Sequence, residues 1–260
     1  MDVQEINPSR VDQYQKLFLV CFPKSRMGPE YINWLYFQNP LGNVVGFDAI
    51  EGDRTISHYA CIPTEIDGVI GLLSLNTATH PDFRSQGFHK ILAKKTFERW
   101  SRNFHFVVGV ANAQSAGNFV KHLGFTELGR LNLRYGSLHR PHIGSRSWTS
   151  EQIEWRANSP SRKFQKNFVS NNLIELVVRP KGFPFNLKSI VPISSTGTNE
   201  ILGAKKVERV GFTVDWIRDS RSTVQLPEWF KPSPLVLIFK SLSGTGFEVN
   251  SWSFPDFDAF

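Results

Sequence analysis

The residues best suited to chemistry lie close together in one stretch of the chain. Arg84-Ser85-Gln86-Gly87-Phe88-His89 stands between an apolar run and a helical one. A glycine at such a turn lets an anion approach backbone N–H groups closely, and the helix that follows adds the positive end of its dipole. The chemistry this turn suits is the holding of a phosphate. His80-Pro81 ends the apolar run just before it, and a neutral imidazole at His80 can take a proton directly or through water. His58 and Glu65 are further proton acceptors upstream. Downstream, Asn112 follows a second apolar run and Gly124-Phe125 closes a second helical one.

The elements that must position these groups are legible from periodicity. Asn7-Pro8-Ser9 opens a helical pattern to Phe22, with Asn7 as cap, Pro8 at the first helical position and Pro23 as stop. A short helix with Tyr31, Trp34 and Phe37 follows, stopped by Asn39-Pro40-Leu41-Gly42. Residues 44–50 and 55–62 read as strands around Gly52-Asp53, and 69–79 as the next strand after Asp67-Gly68. Over 88–100 the period turns helical: Phe88, Leu92, Ala93, Phe97 and Trp100 share one side, with Lys90, Lys94, Lys95 and Glu98 opposite. Residues 104–111 are nearly all apolar, as in a strand buried on both faces. Residues 112–123 form the second helix, with Asn112 able to cap it and Gly124 placed to stop it.

Composition narrows the function. A chain of 260 residues supports one large domain or two small ones. Hydrophobic residues at 40% and charged residues at 20% fit a globular protein, and 22 Phe supply a phenylalanine-rich core. The net charge of +7 favours acidic partners, and its even scatter favours a phosphate-rich small ligand over nucleic acid. Two cysteines, Cys21 and Cys61, allow neither a disulfide framework nor a metal cluster, and both sit in apolar runs. The first residues lack the apolar run of a signal peptide, and no stretch approaches the ~20 apolar residues of a membrane span. The expectation is a cytoplasmic protein with no membrane partner.

Residues 137–149 shift to Arg, His, Gly, Pro and Ser and read as a linker, after which the chain starts again. Trp155 to Pro160 (WRANSP) echoes Trp34 to Pro40 (WLYFQNP). A strand, Asn171-Asn172 and another strand follow, and Gly211-Phe212-Thr213 repeats Gly124-Phe125-Thr126. The second copy is shorter by about one strand, loop and helix, the size of the phosphate-turn unit. The expectation is a duplicated fold whose second copy has lost that unit.

The order strand, basic glycine turn, helix, strand, helix over 72–125 resembles the GNAT superfamily of acetyl-CoA-dependent N-acyltransferases. The turn is similar to the family's Arg/Gln-x-x-Gly-x-Gly/Ala loop, with His89 departing from the small residue usual at its end. The resemblance implies an α/β (α+β) fold with a mixed, mostly antiparallel sheet and splayed central strands. It also implies a catalytic lobe over 1–140 and a second GNAT-like lobe over 149–260 that walls the acceptor site. Coenzyme A is the implied co-substrate. Its pyrophosphate would meet Arg84, Ser85, Gln86, Gly87, Phe88 and His89; its pantetheine arm would pair with the backbone of Thr77, Ala78 and Thr79 and touch Asn112. Many relatives carry a proton-donating tyrosine where this chain has Val120, and Tyr135 is the substitute from the next strand. His80 is the leading candidate for the base.

The chain also looks similar to two-lobed GNAT enzymes of surface-polysaccharide pathways, through Trp34, Asn39-Pro40, the run from Leu226 to Lys240 and the terminal Asp256 to Phe260. That similarity implies acyl transfer in a ternary complex to the amine of a nucleotide-linked amino sugar, such as a dTDP- or UDP-amino-deoxysugar for O-antigen or capsule. Trp216, Trp229 and Trp252 are rings that can stack on a base or sugar or pack in the core. A peptide or other small-amine N-acetyltransferase is a second expectation, although no acidic cluster to draw a basic peptide stands out. A coenzyme A-binding protein without turnover is a third, kept open by the missing tyrosine.

Overall fold

A computed structural model describes residues 2–23, 27–138, 147–180, 184–194, 210–217, 223–227, 234–244 and 247–257. The first half opens with β1 (Asp2–Glu5), which the sequence reading had not assigned. Asn7 caps a 3-10 turn at Pro8–Arg10 rather than the helix itself, and α1 (Val11–Cys21) starts only after that turn. Then come α2 (Pro29–Phe37), β2 (Val45–Glu51), β3 (Arg54–Ile66) and β4 (Val69–Thr79). α3 (Phe88–Trp100), β5 (Phe106–Asn112), α4 (Ala113–Leu123) and β6 (Thr126–Ser137) complete it. The expected bounds of β4 and α3 match those observed; β3 starts one residue earlier and ends four later, and β5 starts two later.

The second half has α5 (Ser150–Ala157), β7 (Gln165–Ser170), β8 (Leu173–Val178), β9 (Leu187–Pro192), β10 (Val210–Ile217), β11 (Thr223–Gln225), β12 (Leu235–Ser241) and β13 (Ser251–Ser253). A capping box starts α5: Thr149 accepts from the Gln152 N–H and Gln152 accepts from the Thr149 N–H. Part of the expected linker, 139–146, and the segment 195–209 where the second copy should lack its phosphate unit lie outside the described residues. So does Trp229.

The strands form one continuous mixed sheet in the order β1-β2-β3-β4-β5-β12-β6-β10-β9-β8-β7. Side chains alternate across it. Ala60, Leu73, Phe106 and Val108 pack with α1 and α2, while Cys61, Leu72 and Val107 pack with α3 and α4 on the other face. β5 is therefore buried on both faces, which is why it carries almost no polar residue.

The sheet does not divide at the linker. β12, late in the chain, lies between β5 and β6 and is antiparallel to both. The far part of β6 pairs with β10. Read inward from β2, which carries β1 as an extra antiparallel edge, and from β7, the sheet repeats one pattern: three antiparallel strands, a parallel neighbour, then an antiparallel strand drawn from the other half. α2 and α5 precede the two patterns, and Trp34 and Trp155 stack at 4.8 Å. Each indole N–H donates to the other residue's carbonyl, at 3.1 and 3.2 Å. One part of the expected repeat needs correcting. Gly211-Phe212-Thr213 lies inside β10, which is parallel to β9 as β5 is to β4, so β10 corresponds to β5 and not to β6. Trp252 is a core side chain, and Trp216 packs over Gly129.

Candidate functional site

β4 and β5 are parallel neighbours over only three positions, ending at Ser74 opposite Gly109. Beyond that point β4 runs on to Thr79 and β5 to Asn112, and their facing edges carry no mutual pairing. Each strand keeps its outer partner to its last residue, β4 on β3 and β5 on β12, so the two part from each other at that point. A bulge marks the divergence: Asn76 and Thr77 together stand opposite Tyr59, and Asn76 has φ 50°. The opening left between two unpaired strand edges can take an extended ligand arm as an extra strand. Thr77, Ala78 and Thr79 lie on it, with Ala78 buried and the two threonines half-buried.

The turn from Arg84 to Gly87 is exposed and lies just past the end of β4. Ser85 and Gly87 are both left-handed, with φ 63° and 78°, a geometry that aims neighbouring N–H groups into one concavity. Gly87 is the N-cap of α3, and a Cβ there would meet nothing within 4 Å. The first turn of α3 leaves its N–H groups unpaired within the helix, and no side chain caps them. Arg84 ties the turn back to β4 by donating Nε to the Thr79 carbonyl at 3.3 Å. Cys21, at the end of α1, donates Sγ to that same carbonyl at 3.3 Å. Cys61 is buried, and burial pushes its thiol up to about 12, so it is inert.

His80 ends β4 as the cap of a 3-10 turn, its Nδ1 accepting from the Asp82 N–H at 3.3 Å. In the neutral tautomer that does this, Nε2 carries the proton. Asn112 caps α4 by accepting from the Ser115 N–H at 2.8 Å, and it also borders the opening. Tyr135 stands apart. It is in the part of β6 that pairs with β10, it packs on Phe212 at 4.7 Å, and β12 separates β6 from β5. Glu65 pairs with Ile70 at the far end of β3 from the bulge.

His58 belongs to a buried chain of groups on the α1/α2 face. Its Nδ1 is 2.6 Å from Asp48 Oδ1, and its Nε2 is 2.9 Å from the Tyr36 hydroxyl. Tyr14 donates to Asp48 Oδ2 at 2.8 Å, and the Arg10 guanidinium lies 3.5 Å from that oxygen. Asn76 donates Nδ2 to the Tyr36 oxygen at 3.3 Å. Tyr36, Asp48 and His58 are all fully buried. Burial holds the Tyr36 hydroxyl well above its ordinary value, so it is a neutral donor. Sequence reasoning found His58 but missed its partners. The one available signal was polar residues, Asp48 and His58, inside otherwise apolar strands.

No family model matches the sequence, and no curated protein matches it. Solved structures do. A conserved protein of unknown function from Enterococcus faecalis V583, described as a probable N-acyltransferase, aligns over 93% of this chain and 73% of its own, with TM-score 0.60 and 9% identity. A Pyrococcus horikoshii protein described as a candidate acetyltransferase aligns over 92% of this chain and 89% of its own, with TM-score 0.55 and 12% identity. The chain has the GNAT fold. A fungal multi-domain β-N-acetylglucosaminidase with a GCN5-related glucosamine N-acetyltransferase region matches 64% of this chain at TM-score 0.44 and 12% identity, and the match spans only 21% of that longer protein. No helix among the described residues is long and apolar enough to cross a membrane.

His89 is where this GNAT fold departs from a small residue, and the departure has a measurable consequence. Its ring packs on Phe119 at 4.8 Å and on Tyr59 at 5.8 Å, and its Nε2 is buried without a partner among the described residues. Burial, with a lesser push from His122, lowers it to about 4. The unfolded chain therefore binds this proton first as pH falls. The stability His89 contributes is complete above pH ~6.5 and is lost progressively as pH falls toward ~4, by up to about 2–3 kcal/mol after allowing for its partial exposure. Urea denaturation at pH 7.5, 6 and 4.5 should show this slope, and His89→Leu should flatten it. An equal slope in both proteins would assign the loss to other groups.

Proposed function

We propose that this protein is an acyl-CoA-dependent N-acyltransferase. The observation that carries the proposal is the parting of β4 from β5 beyond Ser74, with the Ser85–Gly87 concavity just past the end of β4. The N–H groups of that turn and of the start of α3 hold the pyrophosphate of coenzyme A, and Arg84 adds a positive charge at the rim. The freed edge of β4 at Thr77–Thr79 pairs with the pantetheine arm, and Asn112 borders it from β5. This lays the thioester near the bulge at Asn76 and Thr77, where the extra residue interrupts the ladder.

The acceptor amine enters from the α1/α2 face. Its nitrogen forms a bond to the thioester carbon, the C–S bond breaks, the thiolate leaves with one proton, and the amine gives one up. Holding the two reactants together supplies much of the rate when the amine arrives neutral. His80, with its proton on Nε2, is set to donate to the departing sulfur or the carbonyl rather than to abstract. Val120, half-exposed on α4, offers no hydroxyl for that task.

The acceptor we favour is a nucleotide-linked amino sugar. The net charge of +7 suits two phosphate-bearing ligands, and a sugar amine is neutral at lower pH than a lysine. In this proposal residues 149–260 are a second GNAT-like lobe that exchanges β12 for β6 with the first and walls the acceptor side. A cavity of about 430 Å³ between α2 and α5, bordered by Glu30, Trp34, Glu151 and Trp155, includes no β4 or β5 residue and is not the transfer site.

The test is calorimetric titration with acetyl-CoA, followed by a thiol-release assay over nucleotide amino sugars, aminoglycosides, polyamines and lysine peptides. Release with peptides alone would replace the sugar acceptor. Binding with no release on any amine would leave a coenzyme A-binding protein without turnover. His80 is tested in the same assay. His80→Ala and His80→Asn should both lower kcat by well over tenfold, though asparagine can still cap the turn. Loss in alanine alone would make His80 a cap and nothing more.

A further inference from the structure

We infer that Asn76 orients the acceptor amine, and that Tyr36, His58 and Asp48 are positioning residues that aim its amide; the inference rests on the N-acyltransferase reading of the site. Four elements meet in this chain: Tyr36 is on α2, Asp48 on β2, His58 on β3 and Asn76 on β4. The hydrogen-bond polarity can be followed from one end. Asp48 is buried beside Arg10 and accepts from Tyr14, so it is the anionic anchor. In the neutral imidazole, the short contact with Asp48 places the proton on His58 Nδ1 and leaves Nε2 as an acceptor. Tyr36 then donates to Nε2, and its oxygen must accept from Asn76. Only Nδ2 can donate, so the amide of Asn76 has one allowed orientation.

That orientation turns Oδ1 away from Tyr36. Oδ1 has no partner among the described residues and is not among the buried unpaired atoms, so it is open to a ligand. Its place is specific. Asn76 is the bulge residue just beyond Ser74, at the apex of the opening between β4 and β5, and its backbone is left-handed. An asparagine tolerates that conformation better than most side chains, and strain of this kind is kept where the surroundings over-determine it. Oδ1 can accept one N–H of an amine and so point the nitrogen lone pair toward the thioester carbon. An amide takes no proton, so the arrangement suits an amine that is already neutral. A sugar amine meets that condition more easily than a lysine.

The experiment uses the full chain with acetyl-CoA and glucosamine as the probe acceptor, followed by thiol release, beside calorimetry with acetyl-CoA. Asn76→Ala should lower kcat/KM for glucosamine at least about tenfold, the loss of one buried orienting hydrogen bond, and leave the Kd for acetyl-CoA within about twofold. Tyr36→Phe should act in the same direction, and the double variant should be no worse than Asn76→Ala alone, because both remove one aim. If Tyr36→Phe does not fold, the half-buried strand position Asn76 carries the test alone. An Asn76→Ala protein with kcat/KM for glucosamine within twofold of wild type overturns the inference. So does one whose only defect is in acetyl-CoA binding or thermal stability. Wild type that binds acetyl-CoA but acylates neither glucosamine nor any other amine overturns it while leaving the coenzyme A site standing. Wild type that does not bind acetyl-CoA brings down the functional reading itself.

Discussion

Gly87→Glu should raise the Kd for acetyl-CoA at least about a hundredfold, close to 3 kcal/mol of binding free energy. Gly87 has φ 78° and ψ 7°, and the space its Cβ would enter is empty. That space is the mouth of the concavity between Ser85 and the first turn of α3. A glutamate side chain fills it and sets a negative charge against the pyrophosphate, where the free N–H groups and the helix dipole favour an anion. Backbone strain at a left-handed position adds about 1–2 kcal/mol to the cost of folding, from outside the binding equilibrium. Gly87→Ala is the companion, with the strain but neither the charge nor the reach. It should lower stability by a similar amount and weaken binding far less. Calorimetry on both variants separates the terms. Unchanged affinity in Gly87→Glu would show that phosphate does not bind at this turn.

Asp48→Ala should destabilise the fold by about 3–5 kcal/mol, the usual cost of removing one partner from a buried charged network. Asp48 is fully buried, and its two oxygens serve His58, Tyr14 and Arg10. Alanine leaves His58 Nδ1 without an acceptor, the Tyr14 hydroxyl with only the Asn7 carbonyl at 3.2 Å, and the Arg10 guanidinium without its counter-charge. Asp48→Asn keeps one acceptor oxygen and should cost less. For a chain of this size the alanine variant should melt roughly 6–20 °C lower. Urea denaturation of the three proteins measures the difference directly. A loss below 1 kcal/mol would mean that the network orients Asn76 without holding the fold.

The two variants probe parts of the site that differ in how far they could be read in advance. The turn between β4 and α3 was legible because its determinants are local. An apolar run, a glycine and a helical period fall within a few turns of chain, and β4 and α3 have the expected bounds. Asn112 and Gly124 were legible as caps for the same reason. The bulge at Asn76 was not, because LNTAT is an unremarkable strand sequence and the extra residue shows only against Tyr59 of β3. The sequence match between Trp34 and Trp155 falls on α2 and α5, whose two indoles stack. The match at Gly211 was misaligned, because a short Gly-Phe-Thr likeness outweighed the strand's actual neighbour.

What the residue order determined by itself is most of the elements and the place of the glycine turn between β4 and α3. Period, caps and φ preferences act over a few residues, and they survive whatever the rest of the chain does. Tertiary structure alone decided which strand lies beside β5, that β12 and β6 cross between the halves, and that Tyr135 stays away from the opening. It also joined Tyr36, Asp48, His58 and Asn76, which stand on four different elements, into one directed chain of hydrogen bonds. The physical reason is burial. A polar group taken out of water must find a partner, and which partner it finds depends on how the sheet and helices pack, not on its neighbours in sequence.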